Sequence, residues 1–158
     1  MLDHKIISLR TSDAELLAQV PHLFKAMHEE MAQHGMRLRL VADGAERWLE
    51  SLRPGLERFH RLCVAVADDR VVGFGHALVK LGPDYLGGAR IGQVAHVFVL
   101  PEYRRSGIAR ALVDNLRNWL VERQVTSTEL QVVHGNGGAL LFWRSLGFEV
   151  ELVQMRDH

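Results

Sequence analysis

Cysteine is nearly absent from this chain. The single Cys63 excludes an internal disulfide, and its place in the apolar run from Leu62 to Ala67 reads as a buried core thiol rather than a nucleophile. A lone thiol fits a reducing compartment. An excess of either charge is missing too: Lys and Arg together number 19 and Asp and Glu 19, so no overall field draws the chain to nucleic acid, an anionic membrane or a polyanionic substrate. No apolar stretch approaches the roughly 20 residues that a membrane helix needs. Met1 to Arg10 lacks a basic segment followed by an apolar one, so the expectation is a soluble, cytoplasmic protein. Repeats, low-complexity tracts and linkers are lacking as well, and 158 residues then predict one domain over residues 1–158. A metal-ligand set is not found: His22, His28 and His34 recur every six residues, which puts neighbours on opposite sides of a helix, and no Cys or carboxylate cluster completes a shell. They read as surface residues, and no metal is expected.

What is present is an alternation of strand-like and helix-like segments. Ile6 to Arg10 predicts a short strand, and Thr11-Ser12-Asp13 offers N-cap chemistry before Leu16, Leu17, Val20, Leu23, Phe24, Met27 and Met31 at helical spacing, with an irregularity near Pro21. Ala45 to Leu52 predicts a second, short helix ended by Pro54-Gly55. Phe59 to Ala67 and Val71 to Leu81, joined by Asp68-Asp69-Arg70, carry a hairpin signal. Ile91 to Leu100 is strand-like and stops at Pro101, which cannot donate to a ladder. Ser106 to Arg123 is the strongest helical stripe, Leu130 to Val133 a buried-looking strand, Asn136 to Leu146 a helix closed by Gly147, and Phe148 to Val153 a final strand. The predicted order is β-α-α-β-β-β-α-β-α-β. Gly73-Phe74-Gly75 lies inside a β-run with no helix after it, so it reads as a bulge or close approach, not a dinucleotide loop.

The stretch from Val97 to Ala109 is a strand that breaks at proline, turns through basic residues and opens a helix. That arrangement suits a pyrophosphate: the free N–H groups of a helix's first turn and the positive end of its dipole make an anion site, and Gly107 lets a phosphate come close to the backbone. Arg104 and Arg105 add charge at its mouth, and small Ala109 leaves room. A capped surface helix with two solvated arginines would give the same local pattern.

Two motifs together are more specific. Arg104-Arg105-Ser106-Gly107-Ile108-Ala109 resembles the phosphate loop Q/R-x-x-G-x-G/A of the GNAT family of N-acetyltransferases, and Asn136 to Phe148 resembles that family's second signature, N-x-x-A-x-x-F-Y-x-x-x-G-F. The element order is similar along almost the whole chain. The resemblance implies an α/β (α+β) GNAT fold: a mixed, mostly antiparallel sheet of about six strands flanked by about four helices. It also implies acetyl-CoA as cosubstrate and a primary amine, on a small molecule or a protein, as acceptor, with direct attack in a ternary complex. Val97, Phe98 and Val99 would pair with the pantetheine arm, and the backbone from Arg105 through Ser106, Gly107 and Ile108 to Ala109 would hold the pyrophosphate with help from Arg110. Asn136 would hold the arm, while Phe142 and Trp143, on the helix that also carries Ala139, would flank the thioester. A homodimer, with Phe148 to Val153 paired across an interface, stays open.

Where the family pattern has a tyrosine as leaving-group acid this chain has Trp143, whose indole N–H is no practical proton donor. For proton handling, His96 comes first because it sits just before the cofactor strand segment and titrates near neutrality, His134 second at the end of the fifth strand, and Tyr103 third. Each also has an ordinary structural role open to it. Without an acid the chain would instead be a non-catalytic acyl-CoA-binding regulatory module, the alternative to an enzyme. Glu29 and Glu30, which could attract a cationic amine, and Arg37 and Arg39, which could hold a carboxylate, leave the acceptor open.

Overall fold

Apolar alternation along the β-rich runs produces an antiparallel meander with both faces covered. The structure is a computed structural model that describes residues 3–157. The strands are β1 (Lys5–Ser8), β2 (His60–Ala67), β3 (Arg70–Leu81), β4 (Arg90–Val99) and β5 (Ser127–Leu130). They form one sheet in the order β1-β2-β3-β4-β5, antiparallel up to β4 and parallel between β4 and β5. The parallel step requires a crossover. It is made by α4 (Ile108–Glu122).

On one face lie α1 (Ala14–Leu17), α2 (Val20–Gln33) and α3 (Gly44–Leu52). The helical stripe expected from Leu16 to Met31 is thus two helices, broken just before Pro21, which lacks the N–H an unbroken helix would need and sits instead in the first turn of α2. Leu23, Phe24, Met27, Leu49 and Leu52 pack there on Leu62, Val64, Phe74 and Phe98. On the other face α4 packs Leu112, Leu116, Trp119 and Leu120 on Cys63, Ala65, Val72 and Val94. Each such buried side chain is worth roughly 1.5–3 kcal/mol. Cys63 is fully buried, and desolvation pushes its thiol up to about 12, so it stays protonated and inert.

The β2–β3 turn uses Asp68 and Asp69, both at positive φ, as the tight hairpin predicts. In β3 and β4 the partners run His76 with His96 and then Ala77 with Val94, leaving Ala95 as an extra residue. This bulge bends β4 away from β5, whose pairing ends at Val94 with Leu130.

Two expectations are corrected. The fifth strand is Ser127–Leu130, not Leu130–Val133, because beyond Val94 the bulged β4 offers residues 131–133 no edge to pair with. Residues 148–153 form no strand: nothing among the described residues pairs with them, and Val150, Leu152 and Val153 are exposed. The helix after β5 forms as expected, as α5 (Gly137–Ser145), with the Asn136 side chain accepting from the Ala139 N–H at 3.0 Å and Gly147 at φ 95 closing it.

Candidate active site

Parting β4 from β5 opens a cleft of about 340 Å3. One wall is β4 from Val94, its last residue paired with β5, along the free edge to Val99, the other is residues 130–133 and α5 with Asn136, Ala139, Phe142 and Trp143, and Met27, Glu30 and Met31 of α2 stand over it. Backbone direction can be read from one bond. The Leu100 N–H donates to Val72 O on β3 at 2.8 Å, and successive residues of an extended strand face opposite edges. Phe98 therefore faces β3, while the N–H and C=O of Val97 and Val99 face the cleft.

At its basic end the chain makes a 3-10 turn over Pro101–Tyr103, passes through Arg105 at φ 62 and Gly107 at φ 84, and enters α4. No side chain caps that helix, so the N–H groups of Ile108, Ala109 and Arg110 are left outward, and left-handed Arg105 adds concavity. Gly107 is needed for its φ, since a Cβ there would meet nothing within 4 Å. Ser106 is held in the turn by donating to Tyr103 O at 2.6 Å. Arg105 and Arg110 are exposed beside the helix end.

Arg104 is committed elsewhere. Its Nε donates to Val99 O at 2.8 Å and its two terminal nitrogens to Glu30 at 2.9 and 2.6 Å, which ties α2 to the exit of β4. Those bonds hold the Glu30 carboxyl below its ordinary range. Tyr103 is also tied down away from the cleft, donating to Asp68 at 2.8 Å and accepting from Arg70 at 3.3 Å. His134 is exposed on the loop after β5 and does not line the cleft. The next residue, Gly135, lies so close to α2 that a Cβ would stand 2.2 Å from His34 O.

His96 lines the cleft and is partly exposed. Its ring lies against Phe24 and Trp48, at 5.1 and 5.5 Å between centroids. Nδ1 of His96 is 3.2 Å from Nδ1 of His76, and Nε2 of His76 is 3.0 Å from Nδ1 of His60. His76 is only 2% exposed. Burial, aided by the neighbouring His28, pulls His96 down to about 4; burial, then His96 and His60, pulls His76 down to about 2. Burial lowers His60 as well, so all three rings are neutral near pH 7. His28 is half-buried against Phe24, a correction to its reading as a surface residue, since α2 turns it toward the sheet.

Sequence reasoning missed His60 and His76, and it read Glu30 as a group to attract the acceptor amine where the structure binds it to Arg104. Mirroring the hairpin about Asp68-Asp69 would have set His60 near residue 77 and hence beside His76; the contact of Glu30 with Arg104 carried no comparable signal.

Residues 22–148 match the model of the acetyltransferase (GNAT) family. An aminoglycoside N(6')-acetyltransferase type 1 of Acinetobacter baumannii is 28% identical over 116 residues, which cover 72% of this chain and 80% of that protein. Among solved structures, an aminoglycoside N-acetyltransferase AAC(6')-Iy in complex with CoA superposes with a TM-score of 0.78 at 18% identity, covering 99% of this chain and 96% of the other. An aminoglycoside acetyltransferase from an uncultured soil metagenomic sample, in complex with trehalose, does so with a TM-score of 0.74 at 21% identity, covering 98% and 95%. At these identities the structural likeness speaks for the fold.

Proposed function

We propose, since the chain belongs to the acetyltransferase (GNAT) family, that it moves an acetyl group from acetyl-CoA to a primary amine of a small molecule. The observation that carries this reading is the cleft between β4 and β5: it joins a free strand edge to an uncapped helix end, as an extended arm ending in a pyrophosphate requires. The pantetheine arm pairs with the outward C=O of Val97 and N–H of Val99 as an added strand. The pyrophosphate rests on the N–H groups from Arg105 to Ala109, with Arg105 and Arg110 beside it, and Asn136, Phe142 and Trp143 close the opposite wall.

In a ternary complex the neutral amine attacks the thioester carbonyl, whose oxygen gains negative charge. The Val97 N–H is the donor suited to it, because it faces the cleft next to His96 while Phe98 is turned to β3. His96 takes the surplus proton from the amine. Burial leaves its ring neutral but disfavours the charged form, so it takes this proton only by passing another on. Arg104, at the edge of the cleft, fixes Val99 through its carbonyl and α2 through Glu30.

The curated relative is named for acetylating an aminoglycoside, so amines of that class come first in the test. The experiment is calorimetric titration with acetyl-CoA, followed by thiol release against a panel of amines that includes sisomicin. Binding with thiol release supports the transferase. Binding without release across the panel favours a non-catalytic acyl-CoA-binding module, and no binding overturns the reading.

A further inference from the structure

Three histidines cross the sheet in a line, one from each of β4, β3 and β2. Their centroids are 5.4 and 5.2 Å apart and their planes nearly parallel, at 13° and 25°. The line starts at partly exposed His96 in the cleft, passes through fully buried His76 and ends at partly exposed His60, about 10 Å away by two strand spacings. Packing alone would not call for this. Rings buried for their apolar surface need no nitrogen-to-nitrogen contact at 3.2 and 3.0 Å, and His76 has both of its nitrogens so engaged.

We propose, on the reading of the chain as an amine acetyltransferase, that His96, His76 and His60 form a proton relay that drains the acceptor amine's surplus proton from the cleft to solvent at His60. A neutral imidazole carries one N–H, so the chain has two satisfied arrangements. In the first, His96 Nδ1–H donates to His76 Nδ1, His76 Nε2–H donates to His60 Nδ1, and His96 Nε2 is bare. When His96 Nε2 takes a proton from the ammonium group, its Nδ1 proton passes to His76 Nδ1, the Nε2 proton of His76 passes to His60 Nδ1, and the Nε2 proton of His60 leaves to water. Three N–H bonds break and three form within the chain, and one proton has crossed it. The second arrangement reverses every bond. It is reset when His96 Nε2–H protonates the departing thiolate and His60 Nε2 takes a proton from water, which gives the reaction an acid where Trp143 supplies none.

No ring needs to hold a full positive charge. The titratable groups that face the chain are histidines, namely its own members and His28 from α2, and each disfavours a second charge nearby. His76 and His60 are therefore positioning and relay residues, and His96 alone meets the substrate.

The test uses the full chain with acetyl-CoA and sisomicin, and measures thiol release. His76→Phe, which fills the same space, and His60→Gly are each expected to lower kcat by about 10- to 100-fold while leaving the acetyl-CoA KM within about twofold. Added imidazole is expected to restore His60→Gly, whose site is partly exposed, and not His76→Phe. Wild-type kcat in either variant, or no rescue of a folded His60→Gly, overturns the relay. A second measurement needs no turnover: in 15N-histidine spectra at neutral pH, His60→Gly is expected to change the tautomer of His96 two strands away. An unchanged His96 tautomer overturns the relay, whereas coupled tautomers without acetylation of any amine put the failure on the transferase reading.

Discussion

Gly107 and Gly135 are the two residues at which a single Cβ tests the site, for opposite reasons. At Gly107 there is space but the backbone stands at φ 84, a conformation costing roughly 1–2 kcal/mol for most L-residues and less for asparagine. Gly107→Glu is expected to abolish acetyl-CoA binding by setting an anion where phosphate rests, whereas Gly107→Asn folds normally and weakens binding only modestly; calorimetry beside circular dichroism separates the two. At Gly135 the φ is ordinary but a Cβ would stand 2.2 Å from the His34 carbonyl oxygen, so the loop after β5 must move off α2. Gly135→Ala is expected to cost about 1–3 kcal/mol in urea unfolding. It is also expected to raise the acetyl-CoA KM, because the loop that moves leads into Asn136 on the cleft wall.

At the level of elements, β3 and β4 hold two histidines whose proton affinities are depressed in the folded state, and this sets a direction for stability against pH. The unfolded chain takes protons on these groups below about 6.5. The folded chain resists until about 4 at His96 and about 2 at His76. Between 6.5 and 4 the unfolded state binds more protons, so stability is full above that window and falls as pH drops through it, by about 1.4 kcal/mol per pH unit for each group. His76→Phe is expected to flatten that acid limb in thermal unfolding. The clamp from α2 to β4 has a different signature: Arg104→Ala is expected to cost about 1–3 kcal/mol of stability through loss of charge-assisted bonds, and to lower kcat through a loosened Val99. Element types were legible because β2, β3 and α4 each bury a clear apolar pattern. The displaced β5 and the absent last strand were not, because the apolar residues of segments 130–133 and 148–153 give the same local signal whether or not a neighbouring edge exists. The site followed the same division. Asn136 and Gly107 announced themselves through cap and turn chemistry, whereas Arg104's true partner, Glu30, lies 74 positions away and is brought near only by the packing of α2.

Over the whole molecule, the sheet is shared by both cores, so the faces bearing α2 and α4 cannot lose structure independently. A single unfolding transition is expected, and it should move as one when cofactor binds: acetyl-CoA at about 100 times its Kd raises stability by about 2.7 kcal/mol, read as one shifted melting curve. Two separated transitions would contradict the single domain. Ala95 links the two faces by parity. Val94 packs toward α4, and without an extra residue every second side chain after it would do the same; one inserted residue inverts the count, so that His96 and Phe98 look toward α2 instead. The same insertion parts β4 from β5. A chain one residue shorter at this point would leave His96 opposite His76 and facing α2, but it would restore a regular ladder and remove the bend that opens the cleft, which makes the length of this strand, more than the chemistry of Ala95 itself, the feature on which that opening depends.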